Sequence, residues 1–269
     1  MKVWAVANQK GGVGKTTTTI TLAGLLSLRG YRTLMIDMDP HGSLTSYSGY
    51  DPDTIEDSVY SLFQNPDVMI ASVIKRTKFD QLFLLPSSTA IATLDRQLGA
   101  QGGMGLILSH MLKRVSSRFD YVLIDCPPML GVLMVNALAA CDHLIIPVQT
   151  EFLALKGLER MMHTLKMIMR SRNIPVPYSI LPTMFDRRTR ASQQSLQFLQ
   201  ERYPIELSEA IIPVDTQFRE ASRAGMPLPI MAPDARGVGA YASLLDSLLG
   251  QAPTGIVVRE QTLRMAGSL

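Results

Sequence analysis

The stretch QKGGVGKTTT, residues 9–18, decides how the rest of the chain is read. Its end, Gly14-Lys15-Thr16, completes the phosphate-loop pattern G-x-x-x-x-G-K-[ST]. The position of that pattern's first glycine is held by Gln9, and a second lysine, Lys10, stands beside it. The apolar run VWAVA (3–7) precedes the loop and reads as a buried strand. Thr16 to Arg29 reads as a helix, with Ile20, Ala23 and Leu26 on its apolar side and Gly30 as its stop. Strand, glycine loop and helix in that order form the context a phosphate loop needs. Glycines let backbone N–H groups turn toward phosphate oxygens, and the helix N-terminus adds positive potential. Lys15 would reach the β- and γ-phosphates, and the Thr16 hydroxyl would ligate Mg²⁺.

Outward from this loop, short apolar runs alternate with helical patterns. RTLMID (32–37), FLLP (83–86), YVLID (121–125), HLIIPV (143–148), YSILPT (178–183) and AIIPV (210–214) are strand candidates. Helical patterns lie near 105–116, 130–140, 156–172, 191–202 and 237–249. Such alternation implies right-handed crossovers, and continuous apolar strands imply a sheet covered on both faces. The expected fold is α/β, a three-layer α/β/α P-loop arrangement around a mostly parallel sheet. Residues 42–82 read as a more polar surface excursion with short helices. One domain is expected over 1–251, followed by a C-terminal tail, 252–269.

Composition agrees with a globular chain: 46% of its 269 residues are hydrophobic and 18% charged, which excludes a disordered one. A net charge of +3 permits an anionic partner without demanding one. Cys126 and Cys141 form no C-x-x-C pair, so they read as buried free thiols rather than a disulfide or zinc site. The most lipid-like segment, MLGVLMVNALAAC (129–141), is too short to span a bilayer. A soluble cytoplasmic protein is expected.

Two carboxylate sites extend the loop's chemistry. Asp125 ends the strand YVLID, where it can hold Mg²⁺ directly or through water. In DMDPHGS (37–43), Asp37 and Asp39 lie two apart at a strand end, and the loop can re-aim either one. A carboxylate there can orient the attacking water, and positioning contributes more than basicity because the phosphoryl-transfer transition state is loose. His41 reads as a loop histidine that packs or caps locally.

With these sites in place, the sequence resembles the ParA/MinD family of deviant-Walker ATPases. KGGVGKTTT (10–18), DMDPHGS (37–43) and YVLIDCPP (121–128) match its motifs, and LPTMFDRRT (181–189) and IIPVDTQFREA (211–221) resemble ParA further along. The resemblance covers nearly the whole chain and implies ATP and Mg²⁺ as cofactors. Residues Lys10, Gly11, Gly12, Val13, Gly14, Lys15, Thr16 and Thr17 would hold the phosphates, with Lys10 reaching across a nucleotide-sandwich homodimer to the partner's ATP. Thr16, Asp39 and Asp125 would serve the metal and its waters, with Asp39 positioning the hydrolytic one. Met184, Pro213 and Asp215 would lie near the adenine. Many ParA members have glutamine and asparagine where His41 and Ser43 stand, and the stretch VANQKGGVGKTTTTITLAGLL (6–26), followed by DPHGSLTSYSGYDPD (39–53), looks most like the chemotaxis-array-positioning, ParC-type branch. That branch implies a polar protein scaffold as adaptor or activating partner.

A partition ATPase would instead read nucleoid DNA, which needs exposed basic residues contacting phosphates. Arg187, Arg188, Arg190, Arg219, Arg223 and Arg236 are the candidates, although Gln217 stands where DNA-binding relatives carry another basic residue. The tail 254–269 has no sustained helical stripe, so membrane binding is not expected. Cysteine placement rules out an iron–sulfur site of the nitrogenase iron-protein kind. A nucleotide-binding scaffold and an ATP-dependent biosynthetic ligase remain as alternatives.

Overall fold

The computed structural model describes residues 1–65, 67–94, 97, 104–170 and 176–250. The expected tail lies outside these residues. A seven-stranded sheet forms the centre, in the order β3-β4-β2-β5-β1-β6-β7. Its strands are β1 Lys2–Val6, β2 Thr33–Asp37, β3 Lys75–Arg76, β4 Leu82–Leu85, β5 Tyr121–Asp125, β6 His143–Gln149 and β7 Tyr178–Thr183. All pairings are parallel except β3 with β4. β1 lies between β5 and β6, so the loop leaving it opens at the middle of the sheet's carboxyl edge.

Burial on both faces explains the unbroken apolar strands. Along β1, Val3 and Ala5 enter one hydrophobic cluster while Trp4 and Val6 enter the other. The helices Ile107–Lys113, Val132–Ala140 and Phe152–Arg170 contribute to the first cluster. The loop helix α1, Lys15–Leu28, and the C-terminal helix Arg236–Leu249 contribute to the second. α1 stops where Gly30 takes a φ of 86° and the Tyr31 N–H reaches the Leu26 carbonyl.

Two expectations need correction. AIIPV (210–214) is not a strand: it runs past the end of β7, giving one isolated bridge, Phe185 with Pro213. Pro213 has no N–H to continue a ladder. Residues 42–82 do carry short helices, Ser43–Tyr47, Val59–Gln64 and Ile70–Val73, but they are not merely superficial. Leu44, Val59, Leu62, Phe63, Ile70 and Val73 are all buried, because this segment covers one end of the sheet. It also supplies β3, a two-residue polar edge strand with no apolar signal.

The C-terminal helix clamps α1 at two points. The buried Tyr241 hydroxyl shares a 2.8 Å hydrogen bond with Thr18 Oγ1, and Arg29 Nη2 donates to Asp246 at 2.6 Å. Phe218 packs edge-on against Tyr241 with ring centroids 5.8 Å apart, so the helix Gln217–Ala224 joins the same assembly. Tyr241→Phe leaves the Thr18 hydroxyl buried without this partner. It should lower the urea unfolding free energy by about 1–2 kcal/mol with an unchanged denaturant slope. An unchanged midpoint would remove this bond from the account of how the loop helix is held.

Candidate nucleotide and metal site

The phosphate loop is pinned before it reaches its helix. Asn8 is fully buried, donates from Nδ2 to the Pro147 carbonyl at 2.7 Å, and accepts the Lys10 N–H on Oδ1 at 2.9 Å. Further along the loop, Thr183 Oγ1 at the end of β7 donates to the Val13 carbonyl at 2.9 Å. Gly12 and Gly14 adopt φ values of 76° and 94°, a left-handed backbone that side chains disfavour. Gly14 is the N-cap of α1 and provides no side-chain cap, and the first turn holds no acidic residue. The first helical bond runs from the Thr18 N–H to the Gly14 carbonyl, so the amides before it lack helical partners. The positive end of the helix is thus left for an anion.

Lys15 is 8% exposed, and its Nζ donates to the Lys10 carbonyl at 3.3 Å, folding the side chain back over the loop. Lys10 points elsewhere: its amine forms an ion pair with Glu151 of the same chain, at the start of the helix Phe152–Arg170. The two lysines therefore occupy different places, and only Lys15 is wrapped into the loop.

On the neighbouring strands, Asp37 and Asp125 are direct register partners at the ends of β2 and β5. Thr16 Oγ1 donates to Asp125 Oδ2 at 2.6 Å, while Asp125 Oδ1 is buried with no hydrogen-bond partner among the described residues. Burial first, and then the charge of Asp37, push the Asp125 carboxyl well above the usual carboxylate range. Asp37 is pushed up to about 6 by burial, although Thr45 donates to Oδ2 from both N–H and Oγ1, at 2.8 and 2.7 Å. A buried hydroxyl beside a carboxylate with an unsatisfied oxygen suits a hard divalent cation, held directly or through its waters. Thr16 and Asp125 are the residues that would hold Mg²⁺, and the loop amides with Lys15 would hold a polyphosphate.

Asp37 is committed to structure, because its three donors leave it anchoring the next loop. Asp39, two residues beyond the strand, retains 14% side-chain exposure. Its N–H donates to Asp37 Oδ1 at 3.1 Å, and its carbonyl accepts from Ser87 Oγ at 2.8 Å and the Gly42 N–H at 2.9 Å. Of the two carboxylates in DMDPHGS, Asp39 is thus the one available to a water near the phosphates.

Met184 has a left-handed backbone, φ 53°, immediately after the Thr183 contact with the loop. The Phe185 N–H to Ile212 carbonyl and Val214 N–H to Phe185 carbonyl bonds bring the segment around Pro213 beside it. Asp215 uses both oxygens on helix starts, accepting from Gln217 N–H at 3.0 Å and Gly237 N–H at 3.1 Å. Arg187, Arg188, Arg190, Arg219, Arg223 and Arg236 are exposed. Arg188 is held by Asp186 through two bonds of 2.9 and 2.7 Å, and that guanidinium holds the Asp186 carboxyl down at about 2. Asn8, Glu151, Thr183 and Ser87 were missed by sequence reasoning, since each acts through a partner more than forty residues away. Cys126 and Cys141 are both buried, as expected, and neither forms a disulfide among the described residues.

This arrangement defines a P-loop nucleotide site. The AAA-domain family model matches residues 1–176. The sporulation initiation inhibitor protein Soj of Bacillus subtilis is 34% identical over 90% of this chain and 96% of its own length. The chromosome partitioning protein ParA of Myxococcus xanthus is 34% identical over 90% of this chain and 86% of its own. A structure described as cobyrinic acid a,c-diamide synthase from Mycobacterium smegmatis, with bound ATP analogue and magnesium, superposes with a TM-score of 0.81. It is 34% identical, with 93% of this chain and 94% of that one covered. The chain belongs to the ParA/MinD family of P-loop ATPases. Among the described residues no helix is long and apolar enough to cross a membrane.

The raised carboxyl pKa values set a pH dependence. Asp37 binds its proton more tightly folded than unfolded, so ionising it costs stability. That cost is absent below about 3.8 and complete above about 6. Asp125 is raised in the same direction. The nucleotide-free chain should therefore lose thermal stability as pH rises through this window. Asp125→Asn should melt higher than wild type at pH 7.5 without nucleotide, yet bind Mg²⁺-nucleotide at least about tenfold more weakly. Unaltered magnesium dependence would take Asp125 out of the metal's surroundings.

Proposed function

We propose that this chain is a ParA-like ATPase that switches between a monomer and an ATP-sandwich homodimer in order to position a cellular cargo. The observation that carries the reading is the division between its two lysines. Lys15 lies folded over the loop, while Lys10 is turned outward onto Glu151.

ATP binds through residues Lys10 to Thr17, with Mg²⁺ at Thr16 and Asp125 and the adenine beside Met184 and the Pro213–Asp215 segment. Held at Thr16 and Asp125, Mg²⁺ would supply charge neutralisation at the phosphates. Asp39 orients the attacking water, and Lys15 neutralises charge in its own subunit. Lys10 then neutralises charge on the partner's ATP, as an arginine finger would. To do so it must exchange Glu151 for the partner's phosphates. With side chains 28% and 41% exposed, that ion pair is a weak restraint. ATP favours the dimer by binding that state better, and hydrolysis removes the preference. Turnover is slow and stimulated by a partner, which makes the cycle a timer.

The cargo we favour is a polar chemotaxis array, on the strength of the DPHGSLT loop at 39–45. The partition reading is favoured by the names of the Soj and ParA relatives. Strong ATP-dependent binding to non-specific DNA, weakening steeply with salt, would decide for partition. Polar foci of a fluorescent fusion would decide for the array. The diamide-synthase description of one structural relative keeps a ligase reading in view. ATP turnover raised by cobyrinic acid would decide for that.

The switch itself is tested by two variants sized by light scattering. Asp39→Ala should bind ATP and accumulate as a dimer, whereas Lys10→Ala should bind ATP as a monomer. Monomeric Asp39→Ala at saturating ATP with normal hydrolysis would overturn the mechanism.

A further inference from the structure

His41 is exposed, with 79% of its side chain accessible, yet it is not free. Its ring Nδ1 lies 2.8 Å from Asp39 Oδ1, and its backbone N–H donates to the same oxygen at 3.0 Å. A carboxylate oxygen is an acceptor, so the contact requires the proton on Nδ1. The neutral Nδ1–H tautomer and the imidazolium both supply it, so the bond survives a change in ring charge. Two donors converge on Oδ1, which leaves Oδ2 with its acceptor capacity for a water.

The geometry points to His41 as the positioning residue for the hydrolytic water. It acts by locking the rotation of the Asp39 carboxylate. This rests on the reading of Asp39 as the carboxylate that orients that water. The backbone on either side of Asp39 is already fixed by Asp37, Ser87 and Gly42. The His41 N–H holds the side chain at one point, Oδ1, and the imidazole adds the second contact that stops the carboxylate turning about it. A carboxylate that swings presents either oxygen in a range of directions, and misplacement of this order slows a reaction governed by alignment.

The exposure of the ring makes the test clean, because truncating it opens no core cavity. Wild type, His41→Ala, His41→Asn and Asp39→Ala are compared in the full-length chain with Mg²⁺-ATP. The measurements are kcat, KM and melting temperature. His41→Ala should lower kcat by about tenfold, with KM changed less than about twofold and the melting temperature retained. His41→Asn should recover most of the rate, since its amide nitrogen can take the place of Nδ1. A wild-type kcat in His41→Ala, or an asparagine variant as slow as the alanine, overturns the role of His41. If Asp39→Ala itself hydrolyses ATP at the wild-type rate, the underlying reading of Asp39 fails instead, and the two failures are distinguishable.

Discussion

Everything at the nucleotide edge depends on one unresolved charge, the buried Asp125 carboxylate. One of its oxygens is taken by Thr16 and the other has no hydrogen-bond partner among the described residues. Its register partner, Asp37, is a second buried carboxylate whose charge adds to the cost of ionising Asp125. Facing them is the opposite imbalance: a helix N-terminus with no acidic residue in its first turn, and a lysine whose amine donates to a backbone carbonyl at 3.3 Å. Two carboxyl groups thus stand on one side of the site and hydrogen-bond donors on the other. A magnesium–triphosphate pair brings a cation to the carboxylates and anions to the helix. Stability and ligand affinity are therefore linked at the same atoms.

The fold serves this edge by holding it from both faces. β1 is central, with β5 delivering Asp125 on one side and β6 leading to Glu151 on the other. The loop is tethered by Asn8 to β6 and by Thr183 from β7. The C-terminal helix grips α1 through Tyr241 and Asp246. The exposed arginines of the helix Gln217–Ala224 thus belong to an element packed, through Phe218 and Tyr241, on the helix that starts at the nucleotide. This gives any surface carried there a short physical route to the site.

Much of this was legible in the sequence, for reasons that can be named. Six of the strands are buried on both faces and so read as unbroken apolar runs. α1 is bracketed by a glycine loop and Gly30. The carboxylates Asp39 and Asp125 stand at strand ends, where motif and context reinforce each other. The illegible parts fail for equally specific reasons. AIIPV has a strand's composition, but Pro213 and its place beyond the sheet deny it a ladder. β3 is two polar residues whose strand character exists only beside β4. The Lys10–Glu151 pair spans 141 residues and has no local signature. His41 was read as a local cap, and its hydrogen bond is indeed local. Its meaning changes only because the group it holds is Asp39.

The central claim is that Lys15 and Lys10 serve different subunits, and mixing two inactive variants tests it most directly. Lys10→Ala retains Asp39 and Lys15, while Asp39→Ala retains both lysines. When the two variants are mixed as monomers and ATP is then added, the site of the Lys10→Ala chain in a mixed dimer receives Lys10 from its partner and is complete. Equimolar mixing should therefore restore ATP turnover that neither variant shows alone. If Lys10 acted within its own chain, neither site of the mixed dimer would be complete. Mixtures that form dimers but stay inactive would contradict the account.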